Sequence, residues 1–216
     1  LYEQKYEGSR MFAFEVTMQN HGGYSKDVDG FWERIHLTDL ESKTTSVRAA
    51  EKYLTLIKET DSAFEGIVNY FSVQDEKTII LLFGDHQPSD YITNVFLRLQ
   101  GIEREGNEEV LFQNYSVPYV IWANYDIDTD KFAQTDTSLN FLGGRLLDYA
   151  GISLSGYQKY LNELSESYPV ITSVMTESAD GTKKKASAAD SELIGEYNRI
   201  VYNHLCDKEH YPEDFY

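Results

Sequence analysis

An aspartate and a histidine stand side by side where an apolar run ends, in "LLFGDHQPSD" (81–90). Asp85 offers carboxylate oxygens and His86 an imidazole nitrogen, a donor pair that suits Mn²⁺, Zn²⁺ or Fe better than Ca²⁺, which prefers oxygen alone. Gly84 permits a sharp turn as the chain leaves the run, and Pro88 stops helix or sheet from continuing, so a short, defined loop is expected. The dipeptide supplies two ligands where a metal normally needs three or four. Its other reading is a carboxylate that caps a turn beside a hydrogen-bonded histidine.

Such a loop needs firm elements on either side. "TIILLF" (78–83) is continuously apolar and rich in β-branched residues, the pattern of a strand covered on both faces in a parallel sheet, and "VPYVIWA" (117–123) repeats it. Between them "YITNVFLRL" (91–99) predicts a helix and "QGIEREGNEE" (100–109) a polar loop. Upstream, "MFAFEVTM" (11–18) alternates, with Phe12, Phe14, Val16 and Met18 on one side, predicting a half-buried strand that enters the loop "QNHGGY". From Thr44 to Phe71 the residues Val47, Ala50, Leu54, Ile57, Phe64, Val68 and Phe71 form one stripe of a long helix. Asp61 takes one place in that stripe, and the cost of burying an unpaired carboxylate predicts a hydrogen-bond partner for it.

"TDTSLNFLGGRLLDYAG" (135–151) predicts a helix capped by Thr135 or Asp136 and ended by Gly151, with Gly143-Gly144 as its weak point. "YPVITSVMTESADGTKKKASA" (168–188) predicts a hairpin about Asp180-Gly181, and a last helix follows over 190–206. No internal repeat or linker interrupts residues 1–216. The order of elements indicates an α/β domain with a mainly parallel sheet flanked by helices. In open sheets of that kind functional residues gather beyond the carboxyl ends of the strands, where Asp85 and His86 stand.

Composition narrows the function. A formal net charge of -17 repels nucleic-acid phosphates and anionic headgroups, so nucleic-acid binding is not expected. Lys183-Lys184-Lys185 is the one local basic run and reads as a solvated turn. The single cysteine, Cys206, excludes an internal disulfide and every multi-cysteine metal motif. No run of 18 apolar residues and no signal peptide is visible. The chain opens on Leu1 rather than Met, which suggests a processed or excised piece.

"FAFEVTMQNHGGY" (12–24), followed by "LLFGDHQPS" (81–89), resembles the C-terminal half of the catalytic domain of lipoteichoic-acid synthase-like phosphoglycerol transferases, in the sulfatase-like branch of the alkaline phosphatase superfamily. "VPYVIWANYDI" and "LNFLGGRLLDYAGI" extend the resemblance along most of the chain. It implies that residues 1–216 are the C-terminal portion of a sulfatase-like catalytic domain, and so an incomplete domain. It implies Asp85 and His86 as ligands of one divalent ion, Mn²⁺ first, with Zn²⁺ or Mg²⁺ as alternatives, and His21 as a contact to the phosphoglycerol group.

In the family the nucleophilic threonine, a glutamate ligand and further substrate-binding residues come from the N-terminal half, which would precede Leu1. No catalytic nucleophile is therefore assigned in this chain, Thr17 is read as a structural strand residue, and the chain alone is expected to be inactive. The implied reaction is a double displacement: threonine displaces diacylglycerol from a glycerophospholipid donor, and a glycerol-phosphate or glycan acceptor then takes the phosphoglyceryl group. The implied setting is the extracellular face of a bacterial cell membrane, reached through segments outside this chain.

Two other functions remain open. One is a phosphate or sulfate ester hydrolase of the same superfamily; the Cys-x-Pro-x-Arg motif of formylglycine sulfatases is not found, since Cys206 stands in "LCDKEH". The other is a non-catalytic domain that binds a glycan or a protein partner. A sheet lacking preceding strands would expose an edge, so self-association is expected. His36, His204 and His210 read as capping, helix-stripe and surface residues. The 17 tyrosines, with Trp32 and Trp122, read mainly as packing residues, Trp122 having the better claim to a place near the site.

Overall fold

The computed structural model describes residues 2–6, 8–24, 31–32, 34–38, 40, 44–132, 136–188, 191–210 and 212–216. Thr135, one of the two expected helix caps, lies outside them. The chain forms two compact units, Leu1–Ile67 with Pro88–Glu105, and Val68–Gln87 with Gly106–Tyr216.

The first unit is built on the N-terminal part of α1 (Thr45–Ser72) and on α2 (Asp90–Leu99). Helix α1 follows the expected stripe, but only its first turns are deeply buried: Val47, Ala49 and Ala50 join Ile92 and Val95 of α2 in one core. Each aliphatic side chain buried there stabilises by about 1.5–3 kcal/mol. Further along, Ile57 and Ile67 are 40% and 46% exposed. Asp61 is exposed too, so the expected buried partner is not needed: the helix turns that position to water.

Polar side chains of α1 also hold an extended segment. Arg34 N and Ile35 N donate to Thr55 Oγ1, and Leu37 N donates to Glu51 Oε1 at 2.9 Å. Buried Thr55 and Glu51 thereby satisfy backbone donors that have no sheet partner of their own. His36 lies beside them, its Nδ1 3.6 Å from Glu51 Oε2.

The expected strand at 11–18 does not form. Phe12 is 80% exposed and Phe14 68%, and no ladder runs through the segment. Alternation marks a strand only where a neighbour supplies hydrogen bonds and a face to bury, and none is present for it among the described residues.

In the second unit β1 (Ile79–Phe83) and β2 (Tyr119–Ala123) pair antiparallel, Ile79 opposite Ala123 and Phe83 opposite Tyr119. The helix-flanked α/β class holds. The mainly parallel sheet does not describe what is seen, because the strands found among the described residues all pair antiparallel. Continuous apolar runs had suggested strands covered on both faces, yet Leu82, Phe83 and Val120 are 37%, 36% and 45% exposed.

Asn124 closes the other end of this ribbon. Its Nδ2 lies 2.9–3.1 Å from the carbonyls of Phe71, Gln74 and Glu76, and its Oδ1 accepts from Thr78 N at 2.7 Å. One amide therefore organises the turn that leads into β1.

The polar loop expected at 100–109 is found over 100–107, and its last two residues open a short helix, α3 (Glu108–Gln113), capped by Asn107 Oδ1. Helix α4 (Leu139–Tyr149) packs on α5 (Gly156–Ser167) around Phe141, Leu161 and Leu164. The start of α4 lies at Ser138 rather than at Asp136, and Ser138 makes no cap bond to its own helix. Its Oγ instead bonds both the carbonyl and the amide of Ile171, at 2.8 and 2.7 Å.

Gly144 is a contact residue, not a weak point: a Cβ there would stand 2.7 Å from Asn162 Oδ1. Helix α5 has a full capping box, Ser155 with Gln158, a signal present in "SGYQ". Three short strands follow, β3 (Val170–Ile171), β4 (Met175–Glu177) and β5 (Lys183–Lys185), antiparallel in that order. The expected hairpin turn is there, with Gly181 at φ +80° and Asp180 Oδ1 accepting from Thr182 N. Lys183 to Lys185 form an edge strand rather than a turn. Helix α6 (Glu192–Cys206) matches the last predicted helix.

Candidate metal and substrate site

Strand β1 carries its chain to Gly84, whose amide donates to Pro118 O at 3.1 Å and so extends the ribbon. Gly84 is needed for close approach, since a Cβ would meet Val117 Cβ at 3.1 Å. It is not among the glycines with positive φ, so the sharp turn expected of it is not its role. The loop beyond is tied back to the partner strand's approach by Gln87 Nε2, which donates to Ser116 O.

Within that frame Asp85 and His86 share a defined geometry. Asp85 Oδ1 accepts from the His86 amide at 2.8 Å, which leaves Oδ2 outward. His86 Nδ1 lies 2.8 Å from the Gln87 carbonyl. A carbonyl can only accept, so Nδ1 carries a proton, and in the neutral imidazole Nε2 is the nitrogen with the lone pair. This is the arrangement by which a ligating histidine is usually oriented through its second nitrogen.

Nε2 stands 3.5 Å from Asp85 Oδ2, and the two side chains are 74% and 82% exposed. Two donors bound at about 2.0–2.2 Å to one ion with tetrahedral angles would be about 3.4 Å apart. The spacing therefore fits chelation of one divalent ion, and the mixed oxygen and nitrogen donors fit Mn²⁺ or Zn²⁺ better than Ca²⁺. No third ligand completes the set: no group of three or more His, Cys, Asp or Glu suited to a metal occurs among the described residues. The residues fit half of a coordination shell.

Antiparallel pairing corrects the expectation for Trp122. It sits opposite Ile80, three positions from the Phe83–Tyr119 end that leads into the loop, a separation of about 10 Å along the strand. The start of β2, not its carboxyl end, adjoins Asp85 and His86. Val117 and Gln87 are the supporting residues that the sequence reading missed, and nothing in their types or spacing marked them.

His21 belongs to the other unit and stands at an exposed turn, with its amide donating to Met18 O at 3.1 Å. The residues before it are anchored to α1: Asn20 Nδ2 donates to Thr60 Oγ1 at 2.9 Å, and Gln19 Nε2 reaches Leu56 O and the same hydroxyl. Tyr24 OH donates to Asn20 O from the far side, and burial, with the neighbouring Tyr53, raises its pKa. The imidazole is thus carried on a braced turn.

The other histidines are structural. His204 stacks on Tyr157 and lies 4.4 Å from the Tyr216 ring, while His210 Nδ1 pairs with Asp207 at 3.0 Å. Trp32 is 80% exposed.

A family model described as Sulfatase matches residues 2–152, which include both the His21 turn and the Asp85-His86 loop. A putative cyclic beta-1,2-glucan modification protein of Rhizobium meliloti (strain 1021) is 24% identical over 167 residues, 76% of this chain and 26% of that protein. An uncharacterized protein of Haemophilus influenzae is 25% identical over 196 residues, 91% of this chain and 31% of that protein. The chain thus spans about a quarter to a third of the length of these curated relatives. The Streptococcus pyogenes phosphoglycerol transferase GacH, solved in complex with sn-glycerol-1-phosphate, matches at a TM-score of 0.56 and 17% identity, over 87% of this chain and 42% of that one. Its fold is therefore shared over most of this chain, and the family match covers the residues singled out for chemistry: the chain belongs to the sulfatase family.

Proposed function

We propose that this chain is the metal-holding part of a phosphotransferase that moves phosphoglycerol, or a related phosphoryl group, from a glycerophospholipid to a glycerol-phosphate or glycan acceptor at the outer face of a bacterial cell membrane. The observation that carries the reading is the pairing of Asp85 Oδ2 with His86 Nε2, 3.5 Å apart and open to solvent, while Nδ1 is committed to a backbone carbonyl. The names of two similar proteins, a phosphoglycerol transferase and a putative cyclic beta-1,2-glucan modification protein, support phosphoglycerol as the group moved and a glycan as an acceptor.

Asp85 and His86 would hold one divalent ion, Mn²⁺ or else Zn²⁺ or Mg²⁺. When bound, the ion supplies charge neutralisation at phosphoryl oxygens and a lowered pKa for a hydroxyl nucleophile. With one anionic and one neutral ligand from this chain, Asp85 cancels only part of the ion's charge. His21, exposed on its braced turn, is assigned to the phosphoglycerol group. A threonine nucleophile, the remaining ligands and any membrane anchor are assigned to sequence outside these 216 residues. No helix among the described residues is long and apolar enough to cross a membrane.

The test is Mn²⁺-dependent release of diacylglycerol from phosphatidylglycerol by the longest natural protein that contains this chain. Asp85→Ala and His86→Ala should each abolish it. Release that survives in both variants removes the metal assignment. No release from the intact protein removes the transferase and turns the search to phosphate and sulfate ester hydrolysis.

A further inference from the structure

We propose a second binding site, in the first unit: the cavity between the start of α1 and one face of α2 takes a polyol or a saccharide unit through its vicinal hydroxyls. The cavity has a volume of about 190 Å³ and is lined by Ser46, Asp90, Tyr91, Asn94, Val95 and Arg98. It is a depression open to solvent rather than an enclosed space. Its lining is of a size to contact one small polyol or one sugar unit at a time.

The chemistry follows from how the lining is held. Asp90, Asn94 and Arg98 recur at every fourth residue of α2 and so share a face. Arg104, from outside the lining, donates through Nη2 to Asp90 Oδ1 at 2.6 Å and through Nη1 to Asn94 Oδ1 at 2.9 Å. Arginine can only donate, so both accepting oxygens are fixed. Asp90 is left with Oδ2 as an acceptor, and Asn94 with Nδ2 as a donor, one helical turn away. These contacts are solvent-exposed, with Asp90 70% exposed, and they bias the two groups toward this orientation before any ligand arrives, which lowers part of the ordering cost of binding.

A pair of neighbouring hydroxyls is the complement of that pair, one donating to Asp90 and the next accepting from Asn94. The Arg98 guanidinium offers further donors, and Ser46 lines the site from α1 with its hydroxyl 2.9 Å from Thr44 Oγ1. Val95, 2% exposed, closes the floor, and the Tyr91 ring, 47% exposed, offers an apolar face for C–H groups. A cation is disfavoured here because the single carboxylate is already paired with Arg104.

Binding itself does not depend on the transferase reading; only the role of acceptor or donor subsite rests on it. The test is a ¹⁵N–¹H titration of the 216-residue chain with glycerol and, separately, with glucose. Amides of Ser46 and of residues 90–98 should shift with at least one of them. Asn94→Leu should weaken binding at least tenfold without changing the Tm, and Tyr91→Ala should weaken it less. Shifts with glycerol alone identify a glycerol-bearing ligand and shifts with glucose alone a glycan, and either supports the site. No shift with either, or unchanged affinity in Asn94→Leu, overturns it. Shifts in this chain, together with no diacylglycerol release from the longest natural protein that contains it, would remove the transferase reading and leave this site standing.

Discussion

The Asp85-His86 loop and the α4–α5–α6 assembly lie in the same unit and are held by opposite means. Around α4 and α5 the chain is fixed by burial: Phe141 is 0% exposed, and Tyr157, Tyr160, Tyr168 and Tyr197 pack against the cluster it forms with Leu161 and Leu164. At residues 84–87 almost nothing is buried. Backbone and amide hydrogen bonds to Pro118 and Ser116 hold the loop, while the two donor groups face water. The difference teaches that here stability and chemistry are placed on separate residues. The abundant tyrosines belong to the first group, and burial pushes the Tyr160 hydroxyl up to about 12.

That contrast can be broken at several points. Phe141→Ala should cost the most, about 3–5 kcal/mol in denaturant unfolding, because a fully buried ring leaves a cavity. Asn124→Ala should cost less, about 1–3 kcal/mol, since three carbonyls and one amide lose their partner. An equal cost for the two would mean that the ribbon depends on polar closure as much as the helices depend on packing.

Acid and alkali should act on different parts. Hydrogen bonds from Ser178 and Thr182 lower the pKa of Asp180 below 3.8, so its contribution is present above that value and is lost as pH falls through the lowered one. The Tyr160 pKa is raised from 10.0 to about 12, so its contribution is complete below pH 10 and is lost as pH rises toward 12. Asp180→Asn should flatten the acid limb of a stability profile and Tyr160→Phe the alkaline one. A Tyr160→Phe variant whose alkaline limb is unchanged would place that limb elsewhere. The smallest effect sharpens the comparison most: Asp85→Ala should leave stability within about 0.5 kcal/mol, and a larger loss would show that the loop is also structural.

Local patterns were legible where one element satisfies itself. The helix striped from Val47 to Phe71, the presence of strands at 78–83 and 117–123, and the Asp180-Gly181 turn were legible as elements, although the runs are not covered on both faces as expected. Strand direction was not legible, because an apolar run carries no information on which way its neighbour runs. The strand expected at 11–18 failed for a related reason: its pattern asks for a neighbour that the pattern cannot supply. At the candidate site the ligand types were visible in "GDH", while the tie from Gln87 to Ser116 joins residues far apart in sequence and left no local trace. Helix α5 was legible in its capping box and was missed.

The interleaving of the two units has a consequence for folding order and for dissection. The chain passes from one unit to the other at 67–68, again at 87–88 and again at 105–106. The core of the first unit needs Val47 and Ala50 together with Ile92 and Val95, so β1 must be enclosed in the loop that this core closes. The β1–β2 pairing in turn encloses α2. Each closure bears the entropy of a long loop whose interior belongs to the other unit. No single cut releases either unit whole, and a protease nick near residue 87, beside the candidate ligands, would open both the loop closed by the first unit's core and the loop closed by the β1–β2 pairing, while leaving the Phe141 cluster on one piece.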